Sequence, residues 1–432
     1  MKKLLFILLV GFFSLPIYAQ EIYFPPQDGN WETISTDSLG WCKSGLDSLK
    51  EFVGEKNSKA FIILKDGKIA VEWYYDNFAQ DSLWYWASAG KSLMATLVGI
   101  AQSENLLSIN DTTSDYLGNG WTSMELEKER QITIRNQLTM TTGLDFVIPD
   151  WDCLEPSCLK YRAEPNTQWF YHNAPYTLLK DVVEEASGQS INGYFKQKIG
   201  DKIGMKGAYI STANSNNLFF SKARDMAKFG LLTLAKGDWN EESILTDKSY
   251  FSQMTTSSQT LNLSYGYLWW LNGNSSHVLP GLPISFEGSI IPTAPADMFA
   301  ALGKNDQKIY VVPSQNLVVI RLGNVAEAET FALSSFDSEL WSRIGKLSDC
   351  EVVADLESET LQNFQIYPNP TETVFSIRSE FPIREIIIRN MQGKEMRKTT
   401  ESKVDISNFP KGIYLLETHF VNGVVSQRKL MK

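Results

Sequence analysis

Trp86-Ala-Ser-Ala-Gly-Lys-Ser-Leu-Met-Ala-Thr-Leu-Val-Gly-Ile-Ala101 sets a serine and a lysine at the head of an apolar run. Leu93, Met94, Leu97, Val98 and Ala101 recur at helical spacing, which predicts a helix with Ser88 at its start and Lys91 one turn on. Both side chains then share one face, and the positive end of the helix favours an attacking alkoxide. Ser-x-x-Lys also occurs at Ser157 and Ser426. Ser157 falls in a loop between cysteines and Ser426 in a terminal β-strand, so neither has a helix to bring its lysine alongside.

A serine hydroxyl is a weak nucleophile at neutral pH and needs a base. Lys91 serves only when neutral, and lowering its pKa by ~3 units costs about 4 kcal/mol, to be met by burial and nearby positive charge. Further on, Tyr171-His172-Asn173 offers a phenol that can share the proton and an amide that can orient the lysine and touch substrate. Each piece has a plainer reading when taken alone. Ser88 and Lys91 fit an ordinary helix N-cap with a surface lysine, and Tyr171 fits a packed loop tyrosine. Tyr75-Asp76-Asn77 shows that Tyr-x-Asn also arises by chance. Only His172, His277 and His419 are available for a Ser-His-Asp arrangement, which is little material for one.

Outward from these motifs the chain divides. Its 432 residues suit two domains, and a hydrophobic fraction of 43% with 21% charged residues is ordinary for a soluble protein. A formal net charge of −10 argues against nucleic acid or anionic membrane as the main partner. Lys2, Lys3, the apolar run Leu4–Leu15 and Ala19 predict an export signal at residues 1–19. No later run approaches the ~20 apolar residues of a membrane span.

Residues 20–350 read as one α/β domain. Ala60–Tyr74 is strand, Asp-Gly turn, strand, with an amphipathic helix over Ser44–Val53 before it. A long helix-rich stretch carries both motifs. Strand patterns return at Tyr265–Trp270, Met298–Leu302, Ile309–Val312 and Leu317–Leu322, and a helix is expected over Phe331–Ile344. Strands at both ends with helices between them predict an antiparallel sheet flanked by helices with an inserted helical subdomain, not a doubly wound parallel sheet. Residues 351–362 are acidic and linker-like, and 363–432 read as a small all-β sandwich. Cys153 and Cys158 can close a short loop; Cys42 and Cys350 remain, and the sequence leaves all three pairings open. No residue cluster points to a metal or organic cofactor.

The Trp86–Ser92 segment resembles the nucleophile segment of the class C β-lactamase and penicillin-binding-protein superfamily, which also holds esterases and amidases. Ile132–Leu144 is similar to its helix leading into a Ser/Thr-Gly-Leu turn, and Tyr171–Leu179 to its second motif. Glu184–Gly188, Ile203–Met205 and Ser221–Leu232 follow in the same order. The resemblance covers roughly residues 61–347. It implies Ser88 as nucleophile, Lys91 as its base partner, Tyr171 as proton shuttle or general base, and Asn173 as the side chain contacting lysine and substrate. His172 stands where the family also has serine and is expected to be an incidental neighbour.

The third motif departs from the family. Members acting on β-lactams or D-Ala-D-Ala peptides carry Lys-Thr/Ser-Gly or His-x-Gly, and the best match here is Ala301-Leu302-Gly303 before Lys304. Gly303 keeps the backbone open, and the Lys304 amide with that of Ser88 is expected to form the oxyanion hole. Ala301 cannot bind a substrate carboxylate, so a charge-assisted bond of ~1.5–3 kcal/mol is missing. A neutral ester or amide substrate is therefore favoured over a β-lactam or D-Ala-D-Ala peptide. A non-catalytic binding protein of the same fold is the reading from another class, and the intact Ser88, Lys91, Tyr171 and Asn173 speak against it. Trp84, Trp86, Trp151, Trp169, Trp269 and Trp270 lie near the motifs as walls for an acyl pocket, with core packing an equal account of Trp269 and Trp270.

Ile366-Tyr-Pro-Asn-Pro370, Ile386–Asn390 with Gly393-Lys394, Val404–Ser407 and Lys411–Leu416 resemble the C-terminal sorting domain of type IX secretion. That resemblance implies handling by the type IX machinery through residues 363–432, and a secreted or cell-surface destination.

Overall fold

The computed structural model describes residues 22–432 apart from 28, 212–216, 328–332, 350–363, 380, 391–392 and 422–424. The expected signal at 1–19 and linker at 351–362 lie outside the described residues.

Six strands form the central sheet: β1 (Ser58–Lys65), β2 (Lys68–Tyr74), β3 (Trp270–Leu271), β4 (Phe299–Gly303), β5 (Gln307–Val312) and β6 (Leu317–Gly323). Their order is β2-β1-β6-β5-β4-β3, and every pairing is antiparallel. The expected hairpin closes through Asp66-Gly67, both at positive φ, as a two-residue turn matched to strand twist requires. A Cβ at Gly67 would lie 1.8 Å from the Tyr23 carbonyl oxygen, so only glycine fits.

Central strands here are buried along their whole length because helices cover both faces. Ile309, Val318 and Ile320 meet α6 (Ala223–Leu234), where a Cβ on Gly230 would touch all three. The alternate residues Lys308, Tyr310 and Arg321 face α7 (Ser335–Gly345): Lys308 and Tyr310 bond Asp337, and the Arg321 guanidinium lies over the Phe336 ring. Helix α1 (Lys43–Glu55) packs on this second side through Phe52, stacked on Phe336.

Between β2 and β3 lies the helical insertion, holding α2 (Gly90–Ser103), α3 (Ile134–Thr139), α4 (Asn173–Thr177) and α5 (Leu179–Ser187). Its outer part has a small core of its own, built on Trp121, Ile132, Leu144, Leu159 and Leu178. Cys153 and Cys158 are disulfide-bonded. Cys42 is also in a disulfide, and Cys350 lies outside the described residues.

Two expectations need correction. Tyr265–Trp270 is not a strand: only Trp270–Leu271 pairs in the sheet, and Leu268 has φ +57°. Its backbone is satisfied elsewhere, Leu268 N–H donating to Leu138 O and its carbonyl accepting from Ser92 Oγ at 2.7 Å. The last helix starts at Ser335, because Ser334 and Asp337 form a capping box.

The C-terminal region forms two antiparallel sheets. One has the order β7 (Gln365–Tyr367), β8 (Val374–Arg378), β11 (Lys403–Asp405). The other runs β10 (Glu395–Thr399), β9 (Ile383–Asn390), β12 (Ile413–Phe420), β13 (Val425–Met431). Phe364, Phe375, Ile386, Ile388, Leu416 and Phe420 fill the space between them, as alternating strands of a sandwich demand.

Candidate active site

Trp86 anchors the entry to α2. Its backbone N–H donates to Phe219 O and its indole N–H to Ser221 Oγ, each at 2.8 Å. Ala87 follows with φ +48°, a left-handed conformation that costs an alanine energy. A single tight turn, Ala87–Ala89, then carries Ser88 into the N-terminus of α2. Ser88 therefore sits in the turn that precedes the regular helix, and Lys91 in its first turn.

The structure gathers the two sequence motifs at one point. Lys91 Nζ donates to Ser88 Oγ at 3.0 Å and to Asn173 Oδ1 at 2.9 Å. Asn173 opens α4, and its carbonyl accepts from Thr177 Oγ1. The Lys91 ammonium also lies over two rings, 5.0 Å from the centre of Tyr171 and 4.2 Å from that of Tyr176. With 4% of its surface exposed, Lys91 is held down to a pKa of about 7 by burial, and Asp152 pulls it the other way. The same burial raises the Tyr171 hydroxyl above its ordinary value, against an opposing hydrogen-bond effect from Ser88.

His172 is buried with neither ring nitrogen partnered, and burial lowers it to about 4. No carboxylate accepts from either ring nitrogen, so the orienting bond of a Ser-His-Asp arrangement is not made at His172. Asp152 was missed in the sequence. It sits beside the disulfide loop, which Trp151 O fastens to the Ala174 N–H at 3.0 Å, and its charge acts on both Lys91 and His172. Tyr176, five residues after Tyr171, lies within the same motif, and nothing in its sequence position marks it as a neighbour of the Lys91 amine.

Strand β4 supplies the third wall. Gly303 lies against the nucleophile turn so closely that a Cβ there would fall 2.5 Å from Trp86 O and 3.0 Å from Ala89 N. Ala301, two residues earlier and on the same face, is buried and presents only a methyl group. Lys304 follows Gly303 with its side chain exposed.

Four of the six tryptophans fall into two pairs, and Trp151 and Trp84 lie apart from both. Trp86 and Trp269 are wholly buried and pack on Phe229, so they belong to the core. Trp169 and Trp270 join Tyr171 and Tyr265, with Trp270 stacked on Tyr171 at 5.9 Å. Trp151 meets Phe170 edge-on, and Trp84 packs against Phe78. A separate cavity of about 1040 Å³, formed in part by Phe24, Leu234 and Trp239, shares no residue with this constellation.

Residues 50–335 match the family model described as Beta-lactamase, and residues 365–432 match the one described as Secretion system C-terminal sorting domain. An uncharacterized protein of Alkalihalophilus pseudofirmus is 25% identical over 313 residues, covering 63% of this chain and 85% of its own length. Among solved structures, the "Putative 6-aminohexanoate-dimer hydrolase from Bacillus anthracis" superposes with a TM-score of 0.58 at 18% identity, covering 76% of this chain and 90% of that one. A β-lactamase/D-alanine carboxypeptidase from Yersinia pestis gives 0.53 at 14%, covering 72% and 99%. At these identities the structural likeness is one of fold.

Proposed function

The chain belongs to the beta-lactamase family of hydrolases and carries a secretion-system sorting domain, and on that premise we propose that it is an exported serine hydrolase cleaving a neutral ester or amide through an acyl-enzyme on Ser88. One observation carries this reading: a buried lysine amine with a pKa of about 7 donates to the Ser88 hydroxyl at 3.0 Å and to Asn173 at 2.9 Å. About half of that amine is neutral at pH 7, so it can accept a proton.

In the first step Ser88 Oγ bonds to the substrate carbonyl carbon while its proton passes to Lys91 Nζ. The carbonyl oxygen, now negative, is received by the backbone N–H groups of Ser88 and Lys304, each such donor being worth ~10²–10³ in rate. Tyr171, kept protonated by burial, hands a proton to the departing alcohol or amine and recovers one from Lys91. Water then repeats the sequence on the acyl-enzyme and frees the acid. Asn173 holds Lys91 in line and faces the substrate.

Substrate class follows from the third wall. Ala301 offers no partner for a carboxylate, and the aromatic group Trp169, Tyr171, Tyr265 and Trp270 favours an apolar acyl chain. The hydrolase domain is assigned to residues 20–350 and the sorting domain to 363–432, through which the type IX machinery handles the chain. Hydrolysis of p-nitrophenyl butyrate by the full chain and by Ser88→Ala tests the proposal, with intact mass to catch the butyryl-enzyme. Turnover and adduct lost together in Ser88→Ala are expected. Equal turnover in both proteins refutes the nucleophile, and no turnover of any ester, amide or penicillin leaves the binding-protein reading in its place.

A further inference from the structure

The loop that follows Gly303 carries Lys304, whose amide the proposed mechanism places in the oxyanion hole, and its backbone is an unusual one. Asn305 and Asp306 both have left-handed backbone, at φ +60° and +58°, and neither is glycine. Two such residues in succession hold only where their surroundings determine them. Here the surroundings are two completely buried side chains from neighbouring strands.

Arg321 on β6 gives two of its five donors to the loop and anchors itself with the other three. Nη1 donates to Asn305 O at 3.2 Å and Asp306 O at 2.8 Å, while Nη2 donates to Lys56 O and Asn324 O and Nε to Ser58 Oγ. A guanidinium has five N–H groups, so none is left over. Gln307 on β5 grips the loop from its other end. Its Nε2 donates to Asn305 O at 2.8 Å and Gly323 O at 2.7 Å, and its Oε1 accepts from Gly323 N–H at 3.1 Å. The Asp306 carboxylate completes the arrangement, accepting from Ala326 N–H and Ser334 Oγ with Lys308 Nζ at 3.2 Å. Asn305 in turn donates to Tyr85 Oη at 2.7 Å, next to the nucleophile segment.

We propose that Arg321, Gln307 and Asp306 form a buried clamp whose role is to fix the Lys304 N–H in the oxyanion hole; they are positioning residues that touch no substrate. An oxyanion donor works only when it already points at the charge that develops, and a loop of left-handed residues would otherwise relax. Strand pairing of Gly303 with Gln307 sets the base of the loop, and the clamp sets its tip. This inference rests on the Ser88 acyl-enzyme reading.

The test compares wild type, Ser88→Ala and Gln307→Met as full chains, reading p-nitrophenyl butyrate kinetics, thermal midpoint and affinity for butylboronic acid. Boron takes up Ser88 Oγ as a tetrahedral adduct, the serine proton passing to Lys91, and one boron-bound oxygen then occupies the oxyanion position. Gln307→Met is expected to lower kcat about 10–100-fold with KM changed less than about threefold, and to weaken the boronate in parallel. A folded Gln307→Met with kcat and boronate affinity within about twofold of wild type, beside an inactive Ser88→Ala, overturns the clamp alone. Turnover persisting in Ser88→Ala overturns the underlying reading and the clamp with it. If Gln307→Met does not fold, Asn305→Gly carries the same comparison, since glycine keeps the positive φ while loosening the loop.

Discussion

Replacing Lys91 by methionine separates what the site costs the fold from what it does for catalysis. Burial brings Lys91 from 10.5 down to about 7 in the folded protein. The unfolded chain keeps its proton up to the ordinary value, so between these two pKa values it binds more protons than the folded one. Stability must therefore rise with pH across that window. One lysine shifted this far costs the fold about 4 kcal/mol at pH 7, about 2 at pH 9 and almost nothing above about 11. Methionine removes that cost but also removes the bonds to Ser88 and Asn173, worth about 1 kcal/mol each. Lys91→Met should then be more stable than wild type by about 2 kcal/mol at pH 7, equal near pH 9, and less stable above about 10. Urea unfolding of the full chain between pH 6 and 10 measures this. Every one of the 12 tryptophans lies at or before Trp341, so their fluorescence follows the hydrolase domain alone. A wild-type-minus-variant difference that stays flat from pH 7 to 9.5 would refute the reasoning, because Lys91 would then be charged in the folded state.

Ester turnover should climb with pH to a plateau, its midpoint near 7, since the neutral amine is the working form; a kcat/KM profile flat from pH 5.5 to 8.5 would contradict it. Asp152→Asn removes the charge that favours the ammonium, so the midpoint should move to lower pH by a few tenths of a unit up to ~1, read from the same profile. Gly303→Ala forces a Cβ to within 2.5 Å of Trp86 O, so β4 must retreat from the nucleophile turn. The expected losses are about 100-fold in kcat and ~1–3 kcal/mol in unfolding free energy. Tyr171→Phe should slow an ethyl ester by at least about tenfold more than a p-nitrophenyl ester, because only the poorer leaving group needs the donated proton; equal losses on both would remove the tyrosine from that step.

How much of this was legible in the sequence depended on the range of the interaction. Helical spacing behind Ser88 and the Asp-Gly turn at 66–67 are local signals, and both elements formed as their patterns demanded. Tyr265–Trp270 was misread because burial on all sides looks the same in a strand and in a turn folded over α2; the partners that decided it, Leu138 and Ser92, lie far away in the chain. Ala301 and Gly303 were found by their motif, but why position 303 must be glycine needed the distance to Trp86 O. Asp152, Arg321 and Gln307 carry no motif. The fold brings each to its partners across a long stretch of chain, Asp152 from the disulfide loop and Arg321 and Gln307 from neighbouring strands, and one-dimensional pattern does not record that.

Burial is the largest influence on both Lys91 and Tyr171, and it drives the two groups proposed to carry the proton in opposite directions. In water the two groups titrate almost together, near 10.4 and 10. Taking both out of water moves them apart, because the charged form of one is the protonated amine and that of the other the deprotonated phenol. Lys91 falls to about 7 and Tyr171 rises above its ordinary value, from the same cause. The uncharged pair, free amine beside intact phenol, thus becomes the low-energy state of the site at neutral pH. It is also the state that can take a proton from Ser88 at one atom and give one to a leaving group at another. Asp152 sets the limit on this arrangement: its charge keeps Lys91 from falling further, where the amine would be neutral at every physiological pH but too weak a base to assist the attack.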